Sequence, residues 1–378
     1  MKRFVVSALI SAALLAACVK KETSVVEAPP LAPLNTEEKV LNIYNWPDYI
    51  PDGMIAAFEN ETGIKVNYDI FKTDETLEAK LLAGNSGYDI VVPSSGFAKT
   101  QIEAKRLKPL DKSKIPNLAN LDPAIMQVLS KADPGNQYLV PWAWGFTTVG
   151  INKTKVDKAL AGLPMPDNAW DLVFAPKYTA KLKSCGIAYL DSPSEIMPVA
   201  LHYIGKDAYS RDPADYRAAA QMLDKVRKDI RLFSTAMIDD MAGGLACVVI
   251  GWSGDINIAA SRARENGSKD EINALLPSNG ALLFSDTMAL TKDARHPNNA
   301  LAFIDFYLRP ENGAWVTNTM NYPTANKAAI AQIKSDIASN TTIFVESDYF
   351  NKMIAPSSFT SEAREIMTKA YDRFKQGS

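Results

Sequence analysis

Between Val40 and Tyr44 the residues run apolar and polar in turn, with the two-residue period of a β-strand. The loop Asn45-Trp46-Pro47-Asp48-Tyr49 follows. Pro51 then suits the first turn of a helix that carries Met54, Ile55, Ala56 and Phe58 and stops at Gly63. Ile64 to Phe71, rich in β-branched and aromatic residues, predicts a second strand. Thr73 to Ala83 predicts a helix, with Gly84 as its stop. Tyr88 to Val92 is short and apolar, as buried parallel strands are, and runs through Pro93-Ser94-Ser95-Gly96 into another helix. This order predicts an α/β fold with an open parallel sheet and helices on both faces, with ligands held at loops beyond the carboxyl ends of the strands. The second half repeats the scheme less regularly. Strands are expected at Ser184–Leu190, at Ala246–Gly251 and at Leu282–Leu290, the last interrupted by Ser285 and Asp286.

The first residues follow another pattern. Lys2 and Arg3 precede an uncharged run from Phe4 to Ala17, of secretory-signal length and short for a bilayer span. The run closes on Leu15-Ala16-Ala17-Cys18, which resembles a bacterial lipobox. On that reading residues 1–17 are removed and Cys18 carries the lipid; the alternative is ordinary cleavage beside a bystander cysteine. Residues 18–38, with Pro29, Pro30 and Pro33 and no sustained apolar period, read as a tether, so the folded part would be exported to the periplasm.

Composition narrows the chemistry. The chain has 378 residues, a length for two or three domains, with 41 Lys and Arg against 43 Asp and Glu. That balance argues against nucleic-acid binding, which needs a clustered basic excess. His202 and His296 are too few and too distant in sequence for a His-based metal site or relay, so no metal and no cofactor are expected. With Cys18 assigned to lipid, Cys185 and Cys247 remain; in an oxidising compartment they favour a disulfide over two buried thiols. The loop it would close is long enough for roughly 4 kcal/mol of stabilisation on the chain-entropy account.

The predicted strand ends gather Trp46, Asp48 and Tyr49, then Ser94, Glu195, Trp252 and Asp255, then Phe284 and Asp286, with Tyr322 beyond. Singly, a loop Asp is usually a cap and a Trp usually core. Together, aromatic faces and carboxylates without Lys or Arg describe a site for a cation with an apolar body. The carboxylates would pair with ammonium groups, and each ring face would add about 0.5–2 kcal/mol.

Beyond these readings, Leu41–Ile50 (LNIYNWPDYI), Thr62–Val66, Tyr88–Ser94, Leu107–Lys114, Trp170-Asp171, Lys183–Gly186, Ile250–Asp255 (IGWSGD) and Ala325–Ala329 resemble the polyamine-binding proteins of bacterial ABC importers, the putrescine binders above all. The resemblance runs from Val40 to the C-terminus. It implies a two-lobed periplasmic solute-binding fold of type II, each lobe a central sheet flanked by helices, with the ligand in the interlobe cleft. Lobe 1 would comprise 39–144 and 265–322, and lobe 2 would comprise 145–264 and 323–378. The implied ligand positions are Trp46, Pro47, Asp48, Tyr49, Ser94, Glu195, Trp252, Asp255, Phe284, Asp286 and Tyr322. Pro47 stands where the putrescine binder has Ser, so a backbone acceptor is kept and a hydroxyl lost. The family's paired cysteines match Cys185 and Cys247.

The implied role is capture of a polyamine, putrescine first, by a monomer that delivers it to ABC permease subunits. Asp255 with Glu195 would hold one ammonium and Asp286 with Asp48 the other, while Trp46, Trp252 and Phe284 sandwich the carbon chain. Two rivals use similar parts. A polyamine sensor would keep the same cleft, and a glycosidase would also combine carboxylate pairs with aromatic platforms.

Overall fold

The computed structural model of the chain describes residues 37–377; the expected signal peptide, Cys18 and nearly all of the tether lie outside the described residues. The first half runs β1 (Val40–Asn45), α1 (Met54–Thr62), β2 (Lys65–Ile70), α2 (Asp74–Leu82), β3 (Ile90–Val91), α3 (Ser95–Glu103), β4 (Leu107–Lys108) and α4 (Pro123–Leu129) into a long strand, β5 (Leu139–Asn152). After it come α5 (Lys153–Leu160), α6 (Asp171–Phe174), α7 (Pro176–Leu182), β6 (Ile187–Leu190), α8 (Pro193–Tyr203) and α9 (Pro213–Asp224). Next are β7 (Leu232–Ser234), α10 (Met237–Ala242), β8 (Val248–Trp252), α11 (Ser253–Glu265), β9 (Ile272–Ala274) and a second long strand, β10 (Leu282–Thr291). The chain ends with α12 (Pro297–Tyr307), α13 (Pro310–Met320), α14 (Ser335–Ala338), α15 (Ser347–Phe350) and α16 (Ser361–Gln376).

Local chemistry sets the boundaries. Gly63 closes α1 at φ 68°, a left-handed conformation that glycine takes without Cβ strain, and donates its N–H to Glu59 O at 2.8 Å. Thr73 opens α2 by accepting the Thr76 N–H at 3.2 Å on its hydroxyl.

The strands form one sheet in the order β2-β1-β3-β10-β5-β8-β6-β7, with β4 beside β10 and β9 beside β5. It is parallel only at its two ends, β2-β1-β3 and β8-β6-β7, and antiparallel through β10 and β5 between them. The expected open parallel sheet is therefore corrected to two parallel blocks joined by an antiparallel pair, because β10 adds to β3 of one block, β5 adds to β8 of the other, and the two long strands pair with each other. Val91 of β3 lies opposite Ala289, near the far end of β10, whereas Trp252 of β8 lies opposite Thr147, high on β5. The blocks thus point their carboxyl ends at each other, and these meet over the middle of β5 and β10.

Each block has its own core. One gathers Leu41, Ile43, Phe58, Trp142, Phe303 and Tyr307; the other gathers Trp170, Tyr189, Val249, Ile250, Met367 and Tyr371. Trp252 and Ile258 touch both. Two expected stretches divide between the cores. Ile272, Ala274 and Leu282 pack with the second core although 265–322 was expected with the first, and Ala325 packs with the first although 323–378 was expected with the second. Pairing explains the former, since β9 adds to the upper part of β5.

Cys185 and Cys247 form a disulfide with their Cα atoms 5.5 Å apart. It ties the entrances of β6 and β8, the ends away from where the blocks meet. No helix among the described residues is long and apolar enough to cross a membrane.

Candidate functional site

Where the blocks converge there is a cavity of about 140 Å³, and all eleven residues proposed from the sequence line it. Four come from the loop after β1. Asp48 takes a left-handed φ of 49°, which turns this loop back across the sheet end. Trp46 donates its indole N–H to Val92 O at 2.9 Å and lies 4.6 Å from Phe71 and 5.8 Å from Trp252, ring centre to ring centre. Ser94 precedes α3, and its backbone N–H donates to Asp74 Oδ1 at 3.1 Å.

From the opposite bank come Glu195 in the first turn of α8, Trp252 at the end of β8 and Asp255 in the first turn of α11. Phe284 and Asp286 lie on β10, where a register shift between Asp286 and Thr287 interrupts the ladder. Such a bulge re-aims the side chain beside it. Tyr322 stands between the banks, and glycine makes room for it: a Cβ on Gly254 would collide with its ring, and one on Gly145 would come within 2.8 Å of Phe284 and 3.1 Å of Tyr322.

The carboxylates carry the chemistry. Tyr322 donates its hydroxyl to Asp255 Oδ1 at 2.7 Å, and Tyr49 donates to Asp286 Oδ2 at 2.8 Å. Thr147 and Trp252 donate to Glu195. Among the described residues, none of these three carboxylates is ion-paired with a Lys or Arg. Burial pushes Asp255 up to about 7, with nearby Asp48 adding to the rise, and Glu195 also to about 7. Asp286 goes up to about 8, from burial first and then from facing Glu195 and Asp255. Near neutral pH the cluster therefore shares protons it would surrender to a cation.

Electrostatically the acids form one cluster: Asp48 acts on Asp255, and both Glu195 and Asp255 act on Asp286. The expected absence of basic side chains is corrected. Lys72 lines the cavity, and Arg262 stands 3.7 Å from Asp48 while bonding Asp239 at 2.5 Å.

Sequence reasoning missed Lys72, Asp74 and the stretch Thr235 to Asp239, all lining residues. Thr235 follows β7, a three-residue strand too short to register, yet the strand-end rule would have found it there. Asp74 looks like an ordinary first-turn acid of α2. Only its burial, which pushes its carboxyl well above the usual range, sets it apart.

Two sheet blocks facing each other across an acidic, aromatic cavity define a solute-binding architecture. The chain belongs to the family of bacterial extracellular solute-binding proteins, whose profile matches residues 53–344. It is 42% identical to the putrescine-binding periplasmic protein SpuD of Pseudomonas aeruginosa over 342 residues, 90% of this chain and 93% of that one. Identity to the putrescine-binding periplasmic protein PotF of Escherichia coli is 40% over 346 residues, 91% of this chain and 93% of that one. In structure it matches a putative spermidine/putrescine ABC transporter protein from Listeria monocytogenes with a TM-score of 0.79 at 28% identity, covering 90% of this chain and 100% of the other.

Proposed function

We propose that the protein captures a short diammonium ligand, putrescine first, in this cavity and delivers it to an ABC permease without making or breaking a bond. The observation that carries the reading is the set of three buried carboxylates, Glu195, Asp255 and Asp286, around an aromatic-walled space, with tyrosine hydroxyls rather than basic side chains satisfying Asp255 and Asp286. Buried anions left without counter-charge are costly, and a dication supplies the missing charge from outside. Asp255 with Asp48 takes one ammonium; Asp286 with Glu195 takes the other. Trp46, Trp252 and Phe284 cover the methylenes and offer ring faces to the charges. Tyr49, Tyr322 and Ser94 orient the carboxylates and the wall, and Pro47 contributes its carbonyl.

Size points the same way. A dry cavity of about 150 Å³ holds benzene, with six heavy atoms. Putrescine, with four carbons and two nitrogens, is matched to the 140 Å³ here. The two blocks, each with its core, act as lobes that close on the ligand, and the permease reads the closed form. Cys18 is acylated in the exported chain, which keeps this monomeric protein at the membrane. Calorimetry against putrescine, cadaverine, agmatine, spermidine and the uncharged 1,4-butanediol tests the assignment. Putrescine should bind saturably at one site and the diol not at all; equal binding of the diol would refute it.

A further inference from the structure

Arg364 lies outside the cavity, yet it joins the two banks. Its helix, α16, buries Ala363, Met367, Tyr371 and Phe374, and the last three belong to the second core. Its guanidinium reaches away from that core to Glu78 on α2, to which Nη1 donates a hydrogen bond. It also stands over the ring of Phe97 on α3, 4.5 Å from the centroid. Both helices belong to the other bank, where Leu77, Leu81 and Ala98 pack with Phe71. The approach is backed by main chain: a Cβ on Gly96 would come within 2.6 Å of Ser357 O, just upstream of α16.

This contact differs in kind from the other ion pair across the cleft. Arg262 and Asp48 are 36% and 58% exposed, and pairs so wet are worth little. Arg364 and Glu78 are 16% and 15% exposed. Glu78 also lies one turn along α2 from Asp74, a cavity-lining residue. The pair therefore fastens the helix that brings Asp74 to the ligand onto the bank that brings Glu195, Trp252 and Asp255.

We infer that Arg364 is a positioning residue, a latch that holds the banks together around the bound solute and so sets how slowly the solute leaves. In the closed arrangement Arg364 and Glu78 are both largely desolvated, and Nη1 donates to the Glu78 carboxylate while the buried Nε finds no partner. In an open one, water serves each separately. Removing either partner takes this ion pair from the closed form alone, and losing Arg364 also strips Glu75 and Asp74 of a neighbouring cation, so the penalty falls selectively on that form. Ligand affinity then drops with the closed population, mainly through faster release. The kinetic part of this inference rests on the diamine reading; the latch itself does not.

Stopped-flow fluorescence on the full chain, with Trp46 and Trp252 as reporters and putrescine as ligand, reads the effect. Arg364→Met and Glu78→Gln should each release putrescine about tenfold faster or more, with association within about threefold of wild type. The double substitution Arg364→Met/Glu78→Gln should release no faster than Arg364→Met alone, because that single substitution already removes the ion pair together with the contact over Phe97. If Arg364→Met does not fold, Phe97→Leu, which removes only the ring face, should still speed release by about two- to fivefold. Hydrogen exchange of segments 46–50 and 253–258, measured without ligand, should be faster in Arg364→Met than in wild type. Release within about twofold of wild type, or unchanged exchange in those segments, overturns the latch. Wild-type protein that binds no diamine would instead overturn the ligand assignment, leaving the exchange result to judge the latch.

Discussion

Asp255 and Asp286 sit in a setting that favours their protonated forms, each with one tyrosine hydroxyl and other acids for company. On the proposed diammonium reading, Asp255→Asn keeps the side-chain shape and removes the counter-charge of a buried ammonium. Truncating one partner of such a pair costs about 2–5 kcal/mol, at least some 30-fold in putrescine affinity by calorimetry. Phe284→Leu alters packing and one ring–cation contact, for which about 1–2 kcal/mol is expected. A reversed order of these two losses would refute charge pairing as the basis of recognition. The same groups couple stability to pH. Their folded values lie above the ordinary carboxylate range, so between about pH 4 and pH 8 the folded state binds more protons than the unfolded one. Ligand-free stability must then fall as pH rises through that window. Melting by calorimetry should show the temperature dropping by several degrees from pH 5 to pH 8 without ligand, and dropping much less with saturating putrescine. Ten of the proposed lining residues were legible because aromatics and carboxylates recur together at and beyond the strand ends, where ligand contacts concentrate, whereas Pro47 came only from the family resemblance. Asp74 was not legible, since a first-turn acid reveals nothing of its burial.

At the scale of elements, α11 begins inside the cavity wall, and its second residue, Gly254, leaves space for Tyr322. Gly254→Ala would push the phenol off Asp255. It should weaken putrescine binding by about tenfold while the far-ultraviolet circular dichroism stays that of wild type; unaltered affinity would show that Tyr322 does not orient Asp255. The disulfide makes the opposite case. It joins the entrances of β6 and β8, at the ends away from the cavity. Replacing Cys185 and Cys247 by Ser should cost about 2–5 kcal/mol in denaturant unfolding and leave putrescine affinity within about twofold. Strands with clear alternation or short apolar runs, such as β1 and β8, were readable. β5 was not, because Leu139–Asn152 is buried along nearly its whole length and so lacks the alternation that marks a strand with one wet face.

For the whole molecule, β5 and β10 decide the function more than any single loop. β10 pairs with β3 of one parallel block, β5 with β8 of the other, and the two long strands pair with each other, which turns the blocks' carboxyl ends toward one another, so that acids far apart in sequence converge. The sequence showed the blocks as strand–helix alternation, but it could not show where the chain passes from one core to the other. That depends on pairing partners, and β9 and the start of β10 side with the second core through β5. The convergence makes the central claim measurable. Burial pushes Glu195 and Asp255 up to about 7 and Asp286 up to about 8, so near pH 7 this cluster is expected to hold protons that an entering dication must displace. Putrescine titrated at pH 7 in two buffers of different ionisation heat gives both the binding and the proton count. The account predicts one saturable site with about one to two protons released per putrescine bound. Absence of binding, or binding with no release or with proton uptake, would contradict it.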